Sequence, residues 1–322
     1  MSESRPGSLL VLAMLVGIVL AAPALAPYDP GRQFPYPYAP PMAPHVIDDQ
    51  GAWQTPFAYP LRSLDPIERR YTEDRTRRVS LSAGEPWFLL GSDALGRDVL
   101  SRVLVGAKLS LGVALLSTLL ALLIGGALGA VAGYAGGWID TTLMRVADLV
   151  IVLPGIYLVL ALRGVLPLVL TTSEVFVALV AVLSLVGWPS AARGVRGIIL
   201  VERRAEYAEA ARALGAGPWR VIARHLLPAT RGFLAVQATM LVPAFVMSEA
   251  TLSIVGLGFA PPTPSWGAML LDAAAVQIAA DAPWLLAPAG AIVLTVFVIH
   301  AVGARADPLP WASAPAKSFN NS

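Results

Sequence analysis

The chain of 322 residues contains no cysteine and only three histidines. Without cysteine it can form no disulfide, no thiolate nucleophile and no zinc site built on thiolate ligands. The histidines, at positions 45, 225 and 300, lie far apart in the sequence, and no two of them have the i, i+4 spacing of a helical metal motif. The sequence therefore predicts no metal site and no catalytic residue in this chain.

Charge is also scarce: charged residues make up 14% of the chain, whereas about a quarter of an average soluble protein is charged. Hydrophobic residues make up 56%, and the mean hydropathy is +0.67. They form long uncharged blocks instead of the apolar stripes of amphipathic helices. This composition predicts an all-α polytopic membrane protein.

Six stretches are long and apolar enough for a transmembrane helix, which needs about 20 such residues. In order they are Leu9–Ala26, Leu109–Ile139, Leu149–Leu162 extended back through Met144, Val175–Ala192, Gly232–Met247 with its continuation past Glu249, and Pro283–Ala304. An even number of spans places both termini on the same side of the membrane.

The arginines indicate the orientation, because Lys and Arg are enriched in short cytoplasmic loops. The segment between the fourth and fifth spans carries eight arginines, at positions 193, 196, 203, 204, 212, 220, 224 and 231. We therefore expect this segment, and with it both termini, in the cytoplasm. The arginines of residues 62–78 then lie outside, but loops of more than about 60 residues translocate largely regardless of their charge.

These spans divide the chain into four parts. They are an N-terminal transmembrane helix (residues 1–27), an extracytoplasmic loop rich in proline and aromatic residues (28–104), a five-helix core (105–304) and a cytoplasmic tail (305–322). Arg5 and the small residues Ala22–Ala26 also fit a secretory signal peptide, but an uncleaved helix is the preferred interpretation. The Pro-rich start of the outer loop favours extended conformations, and the loop either contacts an external partner or forms a structural cap.

The cytoplasmic loop, residues 202–228, has the pattern of two short helices joined by a tight elbow. Residues 202–214 are strong helix formers, Gly215 suits a helix end, and Gly217-Pro218 suits a helix start. Four alanines, at positions 208, 210, 211 and 213, would let another protein approach closely.

The motif Glu209-Ala210-Ala211, followed by Gly215 and Leu227-Pro228, resembles the EAA loop of bacterial ABC importer permeases. The resemblance implies that this loop, including Glu206, is the coupling helix that docks on a separate ATP-hydrolysing subunit. The chain has no Gly-x-x-x-x-Gly-Lys-Ser/Thr phosphate loop, so ATP and Mg²⁺ would bind partner subunits and the chain would be no enzyme. The implied partners are a second permease, two ATPases, an extracytoplasmic solute-binding protein and the lipid bilayer of a prokaryotic inner membrane, with no nucleic acid.

Residues 91–102 resemble the Gly-Thr-Asp-x-x-Gly-Arg-Asp-x-x-Ser-Arg signature of dipeptide and oligopeptide permeases, with Ser92 in place of Thr. The matching residues are Gly91, Asp93, Gly96, Arg97, Asp98, Ser101 and Arg102. The stretches Leu252–Gly258 and Pro261–Gly267 are similar to a second block of that subfamily. The resemblance implies peptide import by alternating access, while relatives that carry nickel or other small solutes leave the cargo open. Within the signature, Asp98 is expected to pair with Arg97 or Arg102.

Glu249 is the one carboxylate predicted deep within a span, where a charge is costly and marks a transport path or a buried pair. Both roles remain open. An ion-driven secondary transporter would normally carry several such acids or broken helices at repeated positions. A membrane-embedded enzyme would need a catalytic pair. Neither pattern is visible, so we expect an ATP-driven permease, with an ion-driven transporter as the alternative.

Overall fold

A computed structural model describes residues 16–305, except residues 18, 48–51, 66–69, 81–85, 153–154, 156, 158–160, 162–169 and 275. The described part is mostly helical. Its helices are α1 (Val99–Ala135), α2 (Gly137–Val152), α3 (Thr172–Glu202), α4 (Glu206–Ala213), α5 (Pro218–Val221), α6 (Arg231–Ile254), α7 (Trp266–Asp272), α8 (Val276–Asp281) and α9 (Ala287–Arg305). Single turns of 3-10 helix cover Ala22–Leu25, Leu227–Thr230 and Pro283–Leu286, and a π-helical turn covers Ile222–Leu226.

Four helical segments of the described chain are long and apolar enough to cross a membrane. They are α1, α3, the continuous segment Pro218–Ile254 that contains α5 and α6, and Pro283–Ala301. The chain is thus a multi-pass membrane protein. The first predicted span, Leu9–Ala26, and the third both lie partly outside the described residues. The count of six spans therefore stays a prediction.

Two helices extend well beyond the predicted spans. The second span was expected from Leu109, but α1 begins ten residues earlier, at Val99, because Asp98 caps it and accepts the Ser101 N–H at 2.7 Å. The fourth span was expected to end at Ala192, but α3 continues to Glu202. Its last turns carry Arg193 and Arg196, which pair with acidic residues of α2 instead of ending the helix.

The outer loop contains short β-strands, so the prediction of an all-α chain is incomplete for this segment. In chain order they are β1 (His45–Ile47), β2 (Trp53–Ala58), β3 (Leu61–Asp65), β4 (Arg70–Glu73) and β5 (Val79–Ser80). One antiparallel sheet has the strand order β1-β2-β5, and β3 and β4 form a separate hairpin. Beneath them lies a small core that includes Phe34, Trp87 and Phe88. The loop is therefore a folded cap, since these aromatic side chains bury enough apolar surface to order it.

Helices α1 and α3 pack closely because glycines on α1 face the backbone of α3. A Cβ atom added at Gly125 would lie 2.5 Å from the Trp188 carbonyl oxygen, and one added at Gly129 would lie 2.4 Å from that of Ala192. Both distances are too short for any side chain. Small residues spaced four apart thus allow the two longest described helices to come together, as is common in membrane proteins.

Candidate functional site: an exposed helical loop and two buried polar clusters

The elbow of the loop over residues 202–228 is a complete Schellman motif at the end of α4. Gly215 has φ +83°, its N–H donates to the Arg212 carbonyl at 2.9 Å, and the Ala216 N–H donates to the Ala211 carbonyl at 3.0 Å. No atom lies within 4 Å of a Cβ added at Gly215, so the need for glycine comes from the backbone angle alone. Gly217 and Pro218 then start α5.

The alanines of α4 divide into two sets. Ala208 and Ala211 are buried against α3 and the α5 region, in a cluster with Ile199, Val221 and Leu226. Ala210 is exposed. Only part of the alanine run is therefore open to another protein, and the other part seats α4 on the helix bundle.

Several residues from the start of α4 to α5 are exposed, and we call this set the docking surface. It consists of Glu206, Tyr207, Glu209, Ala210, Leu214 and Trp219. Leu214 is 89% exposed and Trp219 is 73% exposed, although both are large and apolar. Leu227 and Pro228 are half-buried. The sequence reasoning missed Leu214 and Trp219, although large apolar residues within a charged loop are the signal of an interaction site.

The charged side chains of the docking surface are only weakly engaged within the chain. Glu209 lies 3.9 Å from Arg212, and both are largely exposed, so the pair contributes little to stability. Arg212 also donates to the Arg203 carbonyl at 2.8 Å. The Tyr207 hydroxyl donates to Glu202, and its partial burial together with this bond raises the pKa of Tyr207 to about 12. Glu206 and Glu209 thus remain available to a partner.

Arginines in the last turns of α3 and at its C-cap link this helix to α1 and α2. Arg203 donates to the carbonyls of Gly133 at 3.0 Å and Tyr134 at 3.2 Å, which are among the last carbonyls of α1. Arg196 forms a two-pronged pair with Asp140 of α2, at 2.5 and 2.6 Å. Several arginines that indicated a cytoplasmic side are therefore structural links between helices.

The signature over residues 91–102 forms a buried ion cluster around Asp93. The prediction that Asp98 pairs with Arg97 or Arg102 is therefore wrong. Asp93 accepts the Arg97 side chain at 2.6 Å and lies 3.4 Å from the Arg102 side chain. Asp98 instead accepts the Ser101 N–H and hydroxyl, at 2.7 and 2.6 Å, because it is the cap of α1. Burial raises the pKa of the Asp98 carboxyl group, against the opposing effect of its bonds to Ser101.

The same signature attaches the cap to the helices. Gly96 has φ +72°, and a Cβ added there would lie 2.0 Å from the Phe34 carbonyl oxygen. Ser92 accepts the Ala39 N–H at 2.8 Å through its hydroxyl and the Trp284 indole N–H at 3.0 Å through its carbonyl. Asp272 of α7 lies 3.9 Å from Arg97, and burial raises the pKa of its carboxyl group. The signature thus joins the cap to α1, α7 and the turn before α9.

Glu249 is fully buried on α6 and accepts the Ser253 hydroxyl at 2.9 Å. On the neighbouring face of α6 an open groove of about 270 Å³ lies against α3. Its lining residues are Gly155, Leu183, Val186, Phe245, Met247, Ser248, Thr251 and Leu252. The structure thus places Glu249 beside this groove but not on its surface, and the choice between a path residue and a buried pair stays a prediction. Among the described residues, no group of three His, Asp or Glu side chains could hold a metal ion.

Comparison with known proteins adds a consistent result. Residues 125–308 match the family of binding-protein-dependent transport system inner membrane components. The chain is 37% identical over 214 residues to the glutathione transport system permease protein GsiD of Pectobacterium atrosepticum, which covers 66% of this chain and 69% of that protein. It is 36% identical over 244 residues to the oligopeptide transport system permease protein OppC of Bacillus subtilis, which covers 74% and 76%. For GsiD of Escherichia coli (strain 536) the identity is 40% over 217 residues, with 67% and 69% covered.

Proposed function

The chain belongs to the family of binding-protein-dependent transport system inner membrane components, and on that premise we propose that it is a permease subunit of an ATP-driven peptide importer. The observation that carries the proposal is the exposed docking surface at the end of a multi-pass helix bundle. The relatives supply the cargo class, since their names specify glutathione and oligopeptides. Oligopeptides and glutathione share a flexible amide backbone with charged ends, and this is the class of solute proposed here.

The docking surface is proposed to receive a separate ATPase. Leu214 and Trp219 flank the elbow as two exposed apolar anchors, and Trp is the residue type most enriched among the energetic centres of protein interfaces. Glu206 and Glu209 add exposed negative charge beside them. This combination of apolar anchors and charged rim is typical of a protein–protein interface.

Alternating access is the proposed mechanism, and the contacts of the docking surface support it. The buried face of α4 packs on α3, and Arg203 of the same segment holds the end of α1. A displacement of α4 by the ATPase would therefore move α3 and α1 together. ATP and Mg²⁺ would be bound by the ATPase, and this chain would contribute no hydrolytic group.

The proposed assembly contains this chain, a second homologous permease, two ATPases and an extracytoplasmic binding protein, in a prokaryotic inner membrane. Six spans with both termini in the cytoplasm are part of the proposal. It is supported by the direction of α1, which runs from the outer cap at Val99 towards the arginine-rich loop at Ala135, and by α3, which runs into that loop. The outer cap is then positioned to meet the binding protein.

Transport in reconstituted vesicles tests the proposal. The chain would be co-reconstituted with the subunits that co-purify with it, and uptake of labelled oligopeptide, glutathione and Ni²⁺ would be compared with and without internal ATP. We expect ATP-dependent uptake of a peptide or glutathione that requires the binding protein. Uptake of Ni²⁺ alone would refute the peptide cargo, and uptake driven by an ion gradient without any ATPase would refute the whole proposal.

A further inference from the structure

Helix α2 packs on the bundle through one side and exposes the opposite side. Ala147 is fully buried and belongs to a hydrophobic cluster with Trp188 and Ala192 of α3. Arg145 and Leu149 each lie two residues from Ala147, which places them about 200° around the helix from it. Arg145 is exposed, and Leu149 is 67% exposed. Within the described part of the chain, this side of α2 is therefore left open.

The open side is a row of residues that changes from polar to apolar along the helix, and we call it the α2 stripe. Its members recur at spacings of three and four residues, and all of them are exposed. They are Trp138, Thr142, Arg145, Leu149 and Val152. Trp138 is 76% exposed and Val152 is 78% exposed. An indole and a cation followed by apolar side chains is the order in which a helix passes from the surface of a bilayer into its hydrocarbon.

The position of Arg145 along α2 fits the level of the lipid headgroups. The 37 residues of α1 span about 55 Å, whereas the hydrocarbon layer is about 30 Å thick, so the ends of α1 project beyond that layer. The charged residues of α2 are Asp140, Arg145 and Asp148, and a charge is costly deep within a bilayer. Arg145, between the two acids and about 12 Å along the helix from the turn after α1, therefore lies near the membrane surface.

Arg145 is the one basic residue of α2, and the chain provides no carboxylate for it. Arg193 pairs with Asp148 and Arg196 pairs with Asp140, so the two acidic residues of the helix are already neutralised. Among the described residues, none forms an ion pair or a hydrogen bond with the Arg145 side chain. A guanidinium group presents its N–H donors in a planar fork that matches the oxygen atoms of a phosphate group. Arg145 is thus free to bind a phosphate from outside the chain.

We propose that the α2 stripe binds an anionic phospholipid, with Arg145 on the phosphate, Trp138 beside the headgroup, and Leu149 and Val152 along the acyl chains. A zwitterionic lipid carries the same phosphate, but its ammonium group repels Arg145. Each basic residue at a membrane surface favours an anionic lipid by about 1 kcal/mol, or about fivefold in affinity. The bound lipid holds the turn between α1 and α2 at the membrane surface. The proposal involves neither the cargo nor the ATPase.

Quenching of a fluorescent label by brominated lipids tests this site. The chain contains no cysteine, so Thr142→Cys creates a single labelling position, about one turn from both Trp138 and Arg145. The labelled chain is combined with the subunits that co-purify with it, in phosphatidylcholine nanodiscs that contain either brominated phosphatidylglycerol or brominated phosphatidylcholine. Because bromine quenches at short range, the label reports the lipid that contacts the stripe. We expect phosphatidylglycerol to bind there about fivefold more tightly than phosphatidylcholine.

Variants separate the charge of Arg145 from its surroundings. Arg145→Gln should abolish the preference for phosphatidylglycerol, and it should fold normally because Arg145 has no partner among the described residues. Arg145→Lys keeps the positive charge and should keep most of the preference. Arg224→Gln is the matched control, because Arg224 is also exposed but lies in the π-helical turn outside α2, and the preference should not change. Trp138→Ala should weaken the binding of both lipids alike, since an indole carries no charge.

Three results would overturn the proposal. Equal affinity for the two lipids in the labelled chain would show that the stripe does not select an anionic headgroup. A preference that persists in Arg145→Gln would assign it to another part of the chain. Protection of the label from both lipids would show that a second permease or another copy of this chain covers the stripe. None of these measurements uses ATP or transport, so their failure is distinct from a failure of the proposed function.

Discussion

A β-branched residue at Gly215 should uncouple ATP hydrolysis from transport without preventing membrane insertion. Gly215 has φ +83° and no atom within 4 Å of an added Cβ, so Gly215→Val introduces backbone strain and no clash. A left-handed conformation costs a residue other than glycine roughly 1–2 kcal/mol, which corresponds to about a 5–30-fold smaller population of the native elbow. The apparent affinity of the ATPase for the permease should fall by the same factor.

The matched control for this prediction is Gly217→Val, two residues further along the same exposed loop. Gly217 has φ −66° and also has no atom within 4 Å of an added Cβ, so valine there meets neither strain nor contact. Gly215→Asn is a second control, since Asn tolerates the left-handed region better than valine. Both controls should bind the ATPase within about threefold of the original chain, which is below the roughly 5–30-fold loss of affinity expected from backbone strain.

The assay measures ATPase binding, ATP hydrolysis and solute uptake in the same proteoliposomes. Gly215→Val should insert normally and show a lower ratio of solute imported to ATP hydrolysed. Normal uptake by Gly215→Val would refute the reasoning. An equal defect in Gly217→Val would show that the loop is sensitive to any side chain, and the argument from backbone strain would then fail.

Three further predictions concern other parts of the chain. Trp219→Ala should weaken ATPase binding about 30-fold, because an anchor buried at an interface typically contributes about 2 kcal/mol. Trp53→Ala, at a similarly exposed tryptophan of the outer cap, should leave binding unchanged. Equal binding by both variants, measured by surface plasmon resonance in nanodiscs, would contradict this prediction. Gly129→Val should prevent stable folding, because its Cβ would lie 2.4 Å from the Ala192 carbonyl oxygen. Gly126→Val should fold, because no atom lies within 4 Å of a Cβ added there. Folded, detergent-resistant protein from both variants would argue against the close α1–α3 contact. Asp93→Asn should lower stability by about 3–5 kcal/mol, because it leaves the buried Arg102 without its carboxylate and Arg97 with only Asp272 at 3.9 Å. An unchanged unfolding temperature would show that the cluster is not stabilising.

Much of the membrane region could be predicted, because long apolar runs and the residues that end helices are local features of the sequence. Gly215 marks the end of α4 in the sequence and in the structure, since a left-handed backbone needs glycine there whatever surrounds it. The ends of the long helices were less predictable. The apolar run that predicts the fourth span ends before the charged residues Arg193 and Arg196. The helix α3 continues through them, because acidic partners on α2 compensate for their charge.

The partners within the outer signature could not be predicted from spacing. Asp93 and Asp98 are both near Arg97 and Arg102 in the sequence, and an acidic residue at either position could pair with them. The choice depends on the start of α1, because the residue that caps the helix turns its carboxylate towards the Ser101 N–H. Asp93, held in a turn by the Leu95 and Arg97 N–H groups, is then the carboxylate left for the arginines.

The sequence by itself determined that this chain spans a membrane, where its elbow lies and which family its motifs resemble, because hydropathy, helix ends and glycine positions are local properties. Only the tertiary structure decided which alanines of α4 are open, that Leu214 and Trp219 are exposed, and that Asp93 and not Asp98 contacts the buried arginines. These features depend on which faces of distant segments come together. Packing between separate segments settles them, and no local sequence pattern records it.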